Sequence, residues 1–186
     1  MRWIGQCVVR GIVKTFDGVE AVVCHVADFH VMHAQILHAD DWPLWRHLRL
    51  QALAESPDMY GSTLAEWTGT GDTEERWRQR FSTVPLNIVV HCDGEPAGIV
   101  GAYEQPGGAV ELISMWVAPA ARGRGVGDAA VQAVLDWAGA RDVVLSVKAH
   151  NRPAIALYER NGFVDAGPSP DDAGERLMRR RAEAWS

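Results

Sequence analysis

Apolar and polar positions change their period several times along the chain, and each change marks an element. Val8–Lys14 and Val19–Val26 are β-branched-rich runs parted by Phe16-Asp17-Gly18, the pattern of a hairpin with a glycine-containing turn. Ala34–Leu37 is a short apolar run of strand type. Asp40-Asp41 then offers an N-cap, with Pro43 in the first turn, where its missing N–H costs nothing. Leu44, Trp45, Leu48, Ala52 and Leu53 recur at helical spacing and predict an amphipathic helix to about Ala54. Glu55–Thr73 is rich in Ser, Gly, Thr, Pro and Asp and reads as a long loop with one helical turn at Leu64–Trp67. Loops of that length in compact domains are usually functional or mobile. Asp72 followed by Glu75 is a capping-box signature for a helix through about Phe81.

The period then shortens to that of strands. Leu86–His91 and Ala97–Glu104 flank Cys92-Asp93-Gly94-Glu95, an Asp-Gly hairpin signal. Gln105-Pro106-Gly107-Gly108 makes a second turn into Ala109–Ala118. Gly127–Ala140 places Ala130, Val131, Val134, Leu135 and Ala138 on one helical face. Val143–Val147 is a buried-type strand, and Asn151–Asn161 a helix with Asn151 as cap, Pro153 in its first turn and Gly162 just past its end. Phe163–Ala166 and Glu175–Arg181 predict a closing pair of strands. The order is that of a mixed α/β sheet whose first half is antiparallel.

Composition narrows the class without naming it. At 186 residues the chain makes one domain, or one with an appendage. With 47% hydrophobic and 23% charged residues it is globular, which excludes collagen-like and disordered readings. No run approaches the ~20 apolar residues of a membrane span. The net charge of −6 argues against a protein that coats nucleic acid and mildly favours a cationic small partner. The opening MRWIGQCVVRGIVKTFDG is broken by Gly, Gln and Arg and lacks a small-residue cleavage signature. Cys7, Cys24 and Cys92 are scattered and odd in number, so no disulfide framework is expected and a reducing cytoplasm fits. Cys24-His25, His30, His33 and His38 match no zinc spacing, so no metal site is expected.

Chemistry concentrates in Glu111-Leu-Ile-Ser-Met-Trp-Val-Ala-Pro-Ala-Ala-Arg-Gly-Arg-Gly-Val-Gly127. A strand ends at Pro119, the loop Arg122-Gly123-Arg124-Gly125-Val126-Gly127 follows, and a helix begins at once. Glycines allow close backbone approach, and the first helical amides lack intrahelical partners. With the positive end of the helix dipole and two arginines, that is a site for a phosphate or pyrophosphate; tight packing of strand on helix would use the same glycines. A Walker A loop needs Gly-Lys-Ser/Thr, which is absent, and a dinucleotide fingerprint needs glycine where Asp128 stands.

Val117-x-Pro119 followed by Arg122-x-x-Gly125-x-Gly127 resembles the acyl-CoA pyrophosphate loop of the GNAT superfamily of N-acyltransferases. Asn151-Arg-Pro-Ala-Ile-Ala-Leu-Tyr158-Glu-Arg-Asn161-Gly162-Phe163 resembles a second element of that family, one helix and one strand further on. Leu50-Gln-Ala-Leu-Ala-Glu-Ser-Pro-Asp-Met-Tyr-Gly-Ser-Thr63 is similar to the acceptor-side segment of bacterial members. The resemblance implies a GNAT fold, a mostly antiparallel central sheet with one splayed parallel pair, flanked by helices. It implies acetyl-CoA as cosubstrate and direct transfer to a primary amine, on a small molecule, peptide or protein, within a ternary complex. Met115, Trp116 and Val117 would meet pantetheine and polarise the thioester, Arg122 to Gly127 would hold the pyrophosphate, and Asn151 would both cap its helix and touch the cofactor.

An alkylammonium has no lone pair to attack with, so an amine acceptor needs a base. Glu111 matches a family position for that base, and strand alternation predicts it on one face with Ile113, Met115 and Val117; otherwise it is a solvated strand-end glutamate. Tyr158 matches the family tyrosine that protonates the departing thiolate, or is an aromatic packed under the sheet. Tyr60, Trp67 and Trp77 either line an acceptor pocket or anchor a mobile segment. Arg179-Arg180-Arg181 reads as a strand with a solvated end. The resemblance allows a homodimer, leaves the acceptor open, and has one rival reading, an acyl-CoA-binding sensor without turnover.

Residues 1–31 lie outside the resemblance, which covers 32–186, and Met32 stands just before the first family strand. We expect an N-terminal extension with no part in catalysis, and a start at Met32 in the native host. A chain beginning at Met32 should fold and turn over like the full chain. Failure to fold removes the dispensability, and an intact Met1 found by mass spectrometry in the native host removes the start.

Overall fold

The computed structural model describes residues 12–16, 19–23 and 30–182, which fall into two units divided between His30 and Val31. In the first, β1 (Ile12–Phe16) and β2 (Val19–Val23) pair antiparallel, with Phe16 opposite Val19. The rest of the expected hairpin, including its turn at Asp17-Gly18, lies outside the described residues, as do Cys7, Cys24 and His25.

The second unit is a seven-stranded sheet in the order β3-β4-β5-β6-β7-β9-β8. Its strands are β3 (Met32–Ile36), β4 (Leu86–Cys92), β5 (Glu95–Glu104), β6 (Val110–Val117), β7 (Val143–Lys148), β8 (Val164–Pro168) and β9 (Glu175–Arg180). Every neighbouring pair is antiparallel except β6 and β7. This is the mixed α/β sheet with one parallel pair that the resemblance implies. Among the described residues no helix is long and apolar enough to cross a membrane.

Helices cover both faces. On one, α3 (Val126–Ala138) and α4 (Arg152–Arg160) bury Ala130, Val131, Val134 and Leu157 against Leu86, Val100, Leu112 and Leu145. On the other, α1 (Trp42–Glu55) and α2 (Glu74–Thr83) set Trp45, Leu48, Ala52 and Trp77 against Val89, Ile99 and Trp116. The fully buried Trp45 and Trp77 make this second layer work with two short helices, because each indole removes a large apolar area from water.

Between α1 and α2 the expected loop holds single 3-10 turns at Pro57–Met59, Ala65–Trp67 and Gly69–Gly71. Two capping expectations change. Thr73, not Asp72, caps α2, its hydroxyl accepting from the Arg76 amide at 3.3 Å. The Asp72 carboxylate instead accepts from Arg46 and, at 2.8 Å, from Trp77 Nε1, and the Arg46 bond foremost holds its pKa down at about 2. Asp41 occupies the N-cap of α1, but its side chain turns back to the His38 amide at 2.8 Å. Asn151 caps α4 as expected, accepting from the Ala154 amide at 3.3 Å.

Strand β6 carries a bulge. Its register against β5 slips between the Gly101–Ile113 and Ile99–Trp116 pairs, and Ser114 sits at φ +57° within the slip. One extra residue reverses the alternation beyond it. Val110 and Leu112 face α3, as do Met115 and Val117, whereas Trp116 faces α1. Glu111 and Ile113 therefore do not share a face with Met115 and Val117, contrary to simple alternation.

Gly98 on β5 lies under both the bulged strand and the start of α3. A Cβ there would stand 2.8 Å from the Trp116 carbonyl oxygen and 2.9 Å from Val126 Cγ1. Because the first is backbone, Gly98→Ala should cost about 1–3 kcal/mol and lower Tm. An unchanged melting temperature would show that β5 and β6 part easily at this point.

Candidate functional site: a cleft between parting strands

Strands β6 and β7 pair only at Val110–Val143 and Glu111–Val144. Beyond them the strands diverge, so the β7-facing backbone of Leu112–Val117 finds no ladder partner there. A cleft of about 460 Å³ opens at this parting. Its walls come from Leu112–Val117 of β6, Ser146 of β7, the loop before α3, one side of α4 from Pro153 to Arg160, and Ser56, Met59 and Tyr60 after α1.

The loop before α3 is shaped for close approach. Gly123 and Gly125 adopt φ +76° and +91°, conformations that suit glycine. A Cβ at either would meet no atom within 4 Å, so their left-handed backbone rather than crowding calls for glycine. Gly127 differs, since a Cβ would meet Leu157 Cδ2 at 3.0 Å, where α3 and α4 touch at the cleft edge. The amides that open α3 have no earlier turn to bond, and the dipole's positive end favours an anion in front of them.

Of the residues singled out in the sequence, Met115, Trp116, Val117, Arg122, Gly123, Gly125, Gly127, Asn151 and Tyr158 all line the cleft. Arg124 turns away to Asp93 in the β4–β5 hairpin, and Val126 is buried at the base of α3. Arg122 donates to the Val117 carbonyl at 3.1 Å and pairs with Glu55 at 2.8 Å. Glu55 also accepts from Trp116 Nε1 at 3.2 Å; its bond from Ser56, with those from Arg122 and Trp116, lowers its pKa.

Glu111 is not in the cleft wall. It lies on the α2-facing side, where its carboxylate accepts from the Tyr103 hydroxyl and, at 2.8 Å, from Gln105 Nε2. Tyr158 is 5% exposed, and burial pushes its phenol well above the ordinary value, so the hydroxyl is protonated at neutral pH. Tyr60 is also pushed up, to about 12, mainly by burial, and donates to the Met115 carbonyl at 3.3 Å.

Sequence reasoning left Tyr60 undecided and passed over Ser56, Met59, Ser114 and Ser146. Tyr60 is placed by contacts distant in the chain, as is Met59, whose sulfur accepts from Asn151 Nδ2 at 3.4 Å. Trp67 stacks on Trp77 with ring centroids 4.4 Å apart, so the pair anchors the segment between α1 and α2 rather than lining this cleft.

The sequence of residues 50–163 matches the family model described as the acetyltransferase (GNAT) family. Over 132 residues the chain is 35% identical to a mycothiol acetyltransferase of Clavibacter michiganensis subsp. michiganensis, which covers 69% of this chain and 41% of that protein. The chain thus spans about two-fifths of the length of that relative. Among solved structures it superposes on a GNAT-family acetyltransferase from Streptococcus pneumoniae with TM-score 0.64 at 19% identity, covering 82% of this chain and all of that one. It also superposes on the PaiA N-acetyltransferase of Thermoplasma acidophilum in complex with coenzyme A, with TM-score 0.61 at 14% identity, covering 81% and 99% of the two chains.

Proposed function

The chain belongs to the GNAT acetyltransferase family, and we propose that it transfers the acetyl group of acetyl-CoA directly to a primary amine within a ternary complex. The observation that supports this most is the cleft itself, where a strand parting, a glycine-shaped helix start and a buried protonated tyrosine meet. The residues fit the cosubstrate: α3 amides and Arg122 would hold the pyrophosphate, and the backbone of Met115–Val117, which has no ladder partner on β7, would receive the pantetheine. Acetyl-CoA supplies an activated thioester, whose carbonyl carbon gains a bond to the amine nitrogen as its bond to sulfur breaks.

Arg122 must exchange Glu55 for phosphate oxygens, a swap of one exposed ion pair for another in which little is lost. A backbone amide of β6 aimed at the carbonyl oxygen would stabilise the developing negative charge, an effect typically worth ~10²–10³ in rate. Tyr158 would donate its proton toward the departing sulfur. Glu111 would take the ammonium proton through water, since its side chain lies on the face of β6 opposite Leu112 and outside the cleft wall. Residues 32–186 would carry this activity, with residues 1–31 as an extension. The competing reading, a sensor that binds acyl-CoA without turnover, predicts binding but no amine-dependent thiol release.

Calorimetric titration of the CoA-free protein with acetyl-CoA should show saturable binding, lost in an Arg122→Ala/Gly125→Val double variant. Glu55→Gln should tighten binding a few-fold, because the competitor for Arg122 is gone. A folded protein that does not bind overturns the cofactor reading.

Turnover tests the two proton-transfer roles separately. Glu111→Gln should lower kcat at neutral pH by roughly 10²-fold or more, the usual contribution of a positioned base. Full kcat in that variant removes Glu111 from the role. Tyr158→Phe should lower kcat with little change in acetyl-CoA affinity, and unchanged turnover would return Tyr158 to a packing residue.

A further inference from the structure

Two arginines stand directly behind the cleft wall, Arg49 behind Tyr60 and Arg80 behind Ser114, and among the described residues neither pairs with a carboxylate. Arg49 on α1 is 6% exposed; its guanidinium covers the Tyr60 ring at 4.4 Å and donates through Nη2 to Ser62 at 2.9 Å. Its Nη1 is buried without a hydrogen-bond partner. Arg80 on α2 keeps part of its surface accessible, with its guanidinium 4.5 Å from the Trp45 ring. It donates through Nε to Asn87 at 3.0 Å and through Nη2 to the Ser114 hydroxyl at 3.1 Å.

The surroundings of this pair are all donor or neutral. Burial foremost, and then Arg49, push the Arg80 pKa down to about 9, while burial lowers Arg49. No carboxylate among the described residues acts on either group. Trp45, one helical turn from Arg49, adds a second buried donor without an acceptor at its Nε1. Removing a guanidinium from water is unfavourable unless an opposite charge compensates, and two together repel. Structural burial of arginine normally comes with an acid, and among the described residues none supplies a negative charge here.

The place of the pair says what would supply it. Ser114, bonded to Arg80, and Tyr60, covered by Arg49, both line the cleft. Arg49 and Arg80 do not line the cleft themselves but stand one side chain behind it, through Tyr60 and Ser114. We propose that the acceptor is an amine bearing a compact anionic group, a carboxylate or a phosphonate-type oxyanion, held by Arg49 and Arg80. This rests on the acetyl-transfer reading above and runs opposite to the cationic partner that the net charge of −6 favours. The local field at a site, rather than the sum over the surface, meets a small ligand once it is bound.

Thiol release by the full chain with acetyl-CoA should be compared across ω-amino carboxylates, ω-aminoalkyl phosphonates, their neutral amides and diamines of matching length. The anionic amines should exceed the amides in kcat/KM by about 10- to 100-fold, the usual worth of charged hydrogen bonds. Arg80→Gln and Arg49→Gln should each erase that preference and leave the acetyl-CoA Kd unchanged, with partial recovery in Arg80→Lys. The carboxylate and phosphonate arms identify which anion is taken. A readout without turnover is the melting temperature with glutarate or inorganic phosphate, in coenzyme A-saturated protein and against chloride at equal ionic strength. It should rise saturably in the wild type and not in either glutamine variant.

Amides or diamines used as well as the anionic amines, a preference that survives both substitutions, or no saturable rise would each overturn the proposal. Acetyl-CoA binding with no charge preference overturns the anion site alone. Absent acetyl-CoA binding overturns the transfer reading, and the glutarate-dependent melting of the unliganded wild type against the two glutamine variants then decides the arginine site by itself.

Discussion

A parallel strand pair in the middle of a sheet normally continues for the length of both strands, because every unpaired buried amide or carbonyl costs free energy. Here the ladder stops after Glu111 and Val144, and the β6 backbone beyond it becomes the inner wall of a cleft, with its Met115 and Val117 carbonyls accepting from the Tyr60 and Arg122 side chains instead. Everything in the site depends on that interruption. The glycine loop before α3 and the capped start of α4 are the two ends of the connections that flank it, so both are delivered to the same opening. Loss of a few ladder hydrogen bonds is offset by two apolar layers, one on each face of the sheet.

The bulge at Ser114 is the second constraint, and it works through the first. Without it, Met115 and Trp116 would exchange faces, Trp116 would leave α1, and its indole would not reach Glu55. With it, Met115 and Val117 face α3 and α4, while Trp116 and the Ser114 hydroxyl face the α1–α2 side, where Arg80 waits. A single residue in left-handed backbone thus sets which β6 side chains face α3 and which face α1. The non-glycine φ of +57° costs a little locally, and that cost persists because the paired strands on both sides over-determine it.

Much of the fold was legible because its signals are local. Asp93-Gly94 set the β4–β5 turn, Asn151 and Pro153 opened α4, and the spacing of Ala130, Val131 and Val134 declared the buried face of α3. These depend on the chemistry of a few adjacent residues, and the observed boundaries differ by one or two positions. The cap of α2 was misread between neighbours: Asp72 and Thr73 are equally able to accept a helix amide, and only the arrival of Arg46 from α1 claims Asp72. The cleft-lining residues from Met115 to Tyr158 were legible because they stand in two short local motifs, the glycines and arginine before α3 and the run from Asn151 to Tyr158.

What the sequence determined by itself is the order of elements, the glycine-rich helix start and the family, each encoded by residues close together in the chain. What only the tertiary structure decided is which groups face one another across the sheet. Alternation along β6 could not show that Glu111 and Met115 fall on opposite faces, because a bulge leaves no reliable mark in composition. Nor could any spacing unite Arg49, Arg80 and Ser114, which come from α1, α2 and β6 and meet only when those layers pack. Charges summed over the chain are acidic, yet Arg49 and Arg80 stand side by side with no carboxylate partner among the described residues. Net charge counts residues, whereas a site's field depends on distance and burial, and folding alone sets those.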